Sequence, residues 1–92
     1  MPINIYEDET FNCIAKISDD IWDLPSQIES LEKWLNSHSE NLVKGKYVAD
    51  IGFDIRKDAN GGGAVINSKI ISVLNQIGME IYLSEYPKTN LS

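Results

Sequence analysis

Residues 46–56 read KYVADIGFDIR and form the clearest strand pattern of the chain. The odd-numbered positions from Tyr47 to Ile55 are apolar or aromatic, whereas the even-numbered positions from Val48 to Arg56 are mostly charged. Because successive side chains of a strand point to opposite faces, this alternation predicts one buried and one solvent-facing side. Such a strand is typical of an antiparallel sheet with one exposed face.

A turn, a helix and a final strand are predicted after this strand. Residues 58–63 read DANGGG, which predicts a turn with positive φ, and residues 64–66 are expected to form a short strand. Residues 68–77 predict a helix that Asn67 or Ser68 caps and Gly78 ends. Residues 79–86, MEIYLSEY, predict the last strand. The residues expected to face inward are Ile70, Ile71, Leu74 and Ile77 in the helix and Met79, Ile81 and Leu83 in the strand.

The first half of the chain predicts a strand and a helix. Residues 24–38 carry one apolar stripe at helical spacing, and either Ser26 with Glu29 or Asp23 is expected to cap the helix. Residues 11–18, FNCIAKIS, alternate as a half-buried strand, and residues 4–10, NIYEDET, predict a short strand and a turn. The inward positions of the strand would be Phe11, Cys13, Ala15 and Ile17.

The predicted order is β-α-β-β-α-β, which indicates an α+β, ferredoxin-like fold with an antiparallel sheet and both helices on one face. Ninety-two residues predict a single domain over residues 1–92, with residues 87–92 as a frayed tail. The sheet face without helices would carry the even-numbered side chains. These are expected to be Asn12, Ile14, Lys16, Val48, Asp50, Asp54, Arg56, Tyr82 and Tyr86.

Charge is distributed unevenly along the chain. The formal net charge is −6, and residues 1–32 alone hold eight acids and one base, Lys16. This balance argues against nucleic acid and anionic membranes as partners, since both attract clusters of Lys and Arg. One cysteine, no apolar stretch long enough to span a bilayer and no secretory signal in the first residues predict a cytoplasmic protein.

No motif in the sequence indicates catalysis, and we expect neither an enzyme, nor a metal, nor a cofactor. His38 is the only histidine and has no neighbour at metal-ligand spacing. Cys13 on an inward strand position is expected to be inert packing. The glycine turn does not match a phosphate-binding loop. Asp50 and Asp54 could do acid–base work or bind a cation, but a solvated sheet face is the simpler interpretation.

The acids flank the predicted strand at residues 11–18 and lie beside a tryptophan. Acidic groups next to an exposed aromatic side chain suit the binding of a basic protein, although a charge run is often only a solvated surface. We therefore name a first candidate surface, with a second on the helix-free sheet face. The first consists of Glu7, Asp8, Glu9, Asp19, Asp20, Trp22 and Asp23, and the second of Asp50, Asp54, Tyr82 and Tyr86.

Residues 24–86 resemble the C-terminal part of a bacterial family of uncharacterised small domains. The resemblance lies in LEKWLNSHSENL at 31–42 and in residues 46–86, where a helix, a strand, a glycine-rich turn, a helix ending in Leu-Gly and a strand with a tyrosine follow one another. In this chain Ile77-Gly78 corresponds to the Leu-Gly at the end of the helix, and Tyr86 corresponds to the tyrosine of the final strand.

The chain is also similar to the immunity proteins of bacterial toxin systems, including contact-dependent growth inhibition. This resemblance implies that it binds and blocks a cognate basic toxin domain, for which a nuclease is the expected kind. A ligand-binding or oligomerising regulatory module without catalytic activity is the alternative.

Overall fold

A computed structural model describes residues 3–18, 20–54 and 63–86. Asp19, Arg56, most of the predicted glycine turn and the predicted tail lie outside the described residues. In the described part no helix is long and apolar enough to cross a membrane. The elements are β1 (Ile3–Glu7), β2 (Cys13–Ile17), α1 (Leu24–His38) with a short 3₁₀ turn (Ser39–Asn41), β3 (Tyr47–Asp54), α2 (Ser68–Ile77) and β4 (Met79–Tyr86).

The four strands form one mixed sheet in the order β2-β1-β3-β4. β1 pairs antiparallel with β2 and with β3, whereas β3 and β4 are parallel. The predicted α+β class is confirmed, but the predicted all-antiparallel sheet is wrong. The short strand predicted at residues 64–66 is absent, since residues 63–67 form no strand. The chain instead returns through α2 to the end of the sheet where β3 begins, so β4 runs parallel to β3. The resulting order, β-β-α-β-α-β, is compatible with a ferredoxin-like arrangement whose sheet is mixed.

The first two strands form a hairpin with a β-bulge. Residues 4–10 do form a strand and a turn, as predicted, but a register shift between Ile5 and Tyr6 pairs Tyr6 with Cys13. The extra residue reverses the alternation at this point. As a result Cys13 is exposed and Ile14 packs against the core, which is the opposite of the prediction.

Both helices pack on one face of the sheet, as predicted. Ile3 and Ile5 of β1 lie opposite Ile51 and Ala49 of β3, and all four are completely buried. The apolar stripes of the two helices cover them. The core side chains that the helices supply are Ile28, Leu31 and Leu35 from α1 and Ile70, Leu74 and Ile77 from α2.

Besides Cys13, three predicted core positions are exposed in the structure. Phe11 lies in the hairpin turn rather than in β2, Ile71 lies outside the buried stripe of α2, and Leu83 lies on β4. β4 is an edge strand, so Leu83 has a strand neighbour on one side only. All three residues match the spacing of apolar residues expected for a buried face, but the neighbouring helices and strands leave their side chains exposed.

Candidate functional site

Neither helix packs on the second face of the sheet, which we call the open face. It consists of the side chains that alternate with the core positions, and Trp22 reaches it from the segment before α1. Lys16 is the only base in the four strands, which hold five acids. The strand positions of the open face are Asn4, Tyr6, Lys16, Val48, Asp50, Gly52, Asp54, Glu80, Tyr82, Ser84 and Tyr86.

Tyr6 lies on an inner strand of the open face, near the end of the sheet that carries the β1–β2 turn. It pairs with Val48, which is fully buried although it lies outside the helix-side core. Burial raises the pKa of Tyr6, and the charges of Asp50, Tyr82 and Asp8 raise it further. The Tyr6 phenol is neutral near neutral pH and offers a hydroxyl donor close to the acidic groups Asp50 and Asp8.

Asp50 is half-buried and accepts a hydrogen bond of 2.7 Å from the hydroxyl of Ser84 on the neighbouring strand. Asp54 lies four residues further along β3. At roughly 3.3 Å per residue the two Cα atoms are about 13 Å apart, too far for one cation or one acid–base pair. The two aspartates therefore contribute negative charge at separate points of the open face.

Trp22 and Tyr86 form an aromatic pair at one end of the open face. Their ring centroids are 5.8 Å apart and the rings meet edge to face. Gly52 makes room for them, because a Cβ there would lie 2.9 Å from Cε2 of Tyr86 and 3.5 Å from Cζ3 of Trp22. The backbone N–H of Asp54 donates to the carbonyl of Trp22 at 2.9 Å. The structure thus joins Trp22 to the second candidate surface rather than only to the first.

Gln27 holds the segment that carries Trp22. Gln27 belongs to α1, and its side chain is completely buried. The amide nitrogen donates to the carbonyl of Ile21 at 2.6 Å and to the carbonyl of Gly52 at 2.7 Å. One buried side chain therefore fixes the chain just before Trp22 against the strand on which Trp22 packs.

The acids of the first candidate surface lie at two ends of the sheet. Glu7 ends β1 and Asp8 and Glu9 follow it, whereas Asp20 and Asp23 follow β2 at the opposite end. A five-residue strand separates the two groups by roughly 17 Å. Only the hairpin acids lie near Tyr6, so the acidic run of the sequence is two groups in space.

Asp23 has a local structural role. Its carboxylate accepts a hydrogen bond from the backbone N–H of Ser26 at 3.1 Å and caps α1, so Asp23 is the cap rather than Ser26. Hydrogen bonds from Ser26 hold the pKa of Asp23 below its ordinary value. Capping accounts for Asp23 without any partner.

An open cleft of about 420 Å³ lies between the β1–β2 turn and residues 43–47. Its lining mixes charges, since Lys44 and Lys46 face Glu7 and Glu9. The ion pair of Lys46 with Glu9, 3.4 Å long, is highly exposed and contributes little stability. This mixture indicates no particular ligand.

The residue types most often used in catalysis lie apart from one another. His38 is exposed at the end of α1, where its ring stacks on Trp34 and its Nδ1 lies 3.0 Å from the carbonyl oxygen of Trp34. Over residues 3–18, 20–54 and 63–86, no group of three or more His, Cys, Asp or Glu side chains could hold a metal ion.

Three residues of this region were missing from the sequence-based surfaces. Tyr6 could have been found, because residues 3–6 read INIY and alternate with period two. Gln27 is compatible with a helix, but nothing in the sequence indicates that its side chain is buried. Phe11 was assigned to the buried face, and only the turn geometry shows that it is exposed.

Comparison with known proteins adds no relative: no protein-family model, no curated protein and no solved structure matches the chain.

Proposed function

We propose that this chain is a small acidic protein-binding domain, an immunity protein that binds a cognate basic toxin domain through the open face and blocks it. A nuclease is the expected kind of toxin, and the cytoplasm is the expected place of action. The ferredoxin-like interpretation remains part of the proposal, as a variant with a mixed sheet. The observation that carries the proposal is a helix-free sheet face on which exposed aromatic rings stand among carboxylates.

Charge and aromatic surface on this face favour a basic protein partner. The strand positions of the open face hold three acids, Asp50, Asp54 and Glu80, and one base, Lys16, so this face has a negative field that would steer a basic domain towards it. Tyr82 and Tyr86 keep more than a third of their surface exposed, and large aromatic side chains of this kind dominate binding energy at protein interfaces. Carboxylates on the same face would occupy the phosphate sites of a nuclease.

Charge reversal on the open face tests the proposal. The partner is sought at the C-terminus of any large secreted protein encoded directly upstream, and an inactive form of that domain is titrated calorimetrically at low salt. We expect the double variant Asp54→Lys/Glu80→Lys to raise Kd at least about tenfold, because two attractive charges become repulsive. The wild-type chain should also restore growth of cells that express the active domain.

A matched variant separates contact from overall charge. Glu29→Lys/Glu40→Lys changes net charge equally, but both residues are exposed outside the sheet and should leave Kd within about threefold of wild type. Equal losses of affinity in both double variants would mean that overall charge, rather than contact at the open face, determines binding. Absence of binding and of growth rescue by the wild-type chain would refute the immunity function.

The edge of the sheet favours the second candidate, an oligomerising regulatory module. β4 is eight residues long, lies at the edge and exposes Tyr82 and Leu83. Edges of this length and composition can pair with a second copy. Light scattering at increasing concentration should show a dimer if this function holds, and Leu83→Lys should abolish it. A monomer at all concentrations would exclude self-pairing.

A further inference from the structure

Phe11 is the most unusual exposed residue of the described chain. It lies in the turn between β1 and β2, and 73% of its surface is exposed. Its φ of 57° is in the left-handed region, which glycine and asparagine adopt at much lower cost than an aromatic residue. Solvent exposure and an unfavourable backbone together mean that Phe11 adds little to the stability of the fold.

Hydrogen bonds within the hairpin hold Phe11 in this conformation. Its backbone N–H donates to the carbonyl of Glu7 at 2.9 Å, and the N–H of Glu7 donates to the carbonyl of Asn12 at 3.0 Å. The hydroxyl of Thr10 donates to the carboxylate of Glu7 and accepts from the N–H of Asn12. A ring presented on such a turn loses little conformational entropy when it binds.

The ring of Phe11 continues the aromatic surface of the open face. Its centroid lies 6.0 Å from that of Tyr6, with the rings tilted by 32°. Tyr6 shares the open face with Asp50 and Tyr82, and the charges of Asp50, Tyr82 and Asp8 raise its pKa. The hairpin turn and the open face are therefore continuous at Tyr6.

The charges around Phe11 select the kind of partner. Glu7, Asp8 and Glu9 precede it in the chain, and among the described residues the ion pair of these acids is that of Lys46 with Glu9. An apolar pocket with a basic rim complements an aromatic ring among carboxylates in both shape and charge.

We propose that Phe11 is the central anchor of the interface and inserts into an apolar pocket, rimmed by Lys or Arg, on the basic toxin domain. This proposal rests on the proposed function and adds the contact that supplies most of the affinity. Trp22, the aromatic residue of the first candidate surface, instead packs against Tyr86 and Gly52 within the chain.

Replacement of Phe11 separates binding from stability. The same inactive toxin domain serves as the probe, and thermal unfolding of each variant is measured in parallel. Phe11→Asn should raise Kd at least about tenfold while the unfolding temperature stays the same or rises, since asparagine tolerates positive φ. Phe11→Leu keeps an apolar side chain and should lose less affinity than Phe11→Asn.

Val65→Ser is the matched control, because Val65 is equally exposed but precedes α2 at the other end of the sheet. It should leave Kd unchanged. Wild-type binding that Phe11→Asn does not weaken would overturn the anchor and leave the immunity function intact. A clear fall in unfolding temperature for Phe11→Asn would mean that Phe11 stabilises the fold and is not held there for binding. No binding by the wild-type chain would refute both proposals.

Discussion

Gly78→Ala should lower the free energy of unfolding by at least about 3 kcal/mol, a large part of the stability of a domain of this size. Gly78 ends α2 with φ 82° and ψ 35°, where an L-residue is strained. A Cβ at this position would overlap the backbone carbonyl oxygen of Gly45. A rotamer change cannot relieve the overlap, because the backbone fixes the position of the Cβ and the carbonyl oxygen of Gly45 is itself part of the backbone. Urea unfolding followed by circular dichroism measures the loss.

The backbone around Gly78 also joins α2 to β3. The N–H of Gly45 donates to the carbonyl of Ile77, and the N–H of Tyr47 donates to the carbonyl of Gly78, both at 3.0 Å. Moving Gly45 to admit a Cβ would break these bonds where β3 begins. The cost therefore extends from the helix end to the sheet.

Two variants identify the source of this loss. Gly45→Ala places its Cβ 3.5 Å from the ring of Tyr47, an ordinary contact, and should change stability by less than about 1 kcal/mol. Gly78→Asn tolerates positive φ but keeps the overlap, so it should be nearly as unstable as Gly78→Ala. If Gly78→Asn is as stable as wild type, backbone strain is the whole effect and the overlap with Gly45 is not real.

Gln27→Glu should destabilise the protein in a pH-dependent way. The variant replaces a buried donor to two carbonyl groups with a carboxyl, which repels both carbonyls when it is ionised. Burial raises its folded-state pKa above the unfolded value of about 4.3. Stability is therefore highest below that value, and falls by about 1.4 kcal/mol per pH unit as the pH rises towards the folded-state pKa. Unfolding curves between pH 3.5 and 8 measure the slope.

Gln27→Met is the matched control without a titrating group. It loses both hydrogen bonds and leaves two buried carbonyls unpaired, at about 1–3 kcal/mol for each. Its cost relative to wild type should not change with pH. A Gln27→Glu variant whose stability runs parallel to that of Gln27→Met over this range would mean that the side chain reaches water, contrary to its complete burial.

The helices and the strands at 47–54 and 79–86 could be predicted because their signals are local. The apolar stripe of residues 24–38, the cap at Asn67 and the glycine at 78 each act within one or two helical turns. The direction of β4 could not be predicted in this way. It depends on where α2 returns the chain, and the pattern MEIYLSEY is the same in a parallel or an antiparallel edge strand.

The open face shows the same division between local and long-range causes. Period-two alternation belongs to the strand itself, so the sequence alone indicated that Asp50, Asp54, Tyr82 and Tyr86 share one face. Whether Trp22 and Phe11 join that face depends on turns, a bulge and a buried glutamine. Trp22 depends on a contact between residues far apart in the chain, from Gln27 to Gly52, whereas Phe11 depends on the hydrogen bonds of the hairpin between residues 7 and 12. The local pattern of residue types does not reveal these contacts, and only the tertiary structure shows that Phe11 lies at the surface and that Trp22 packs against Gly52.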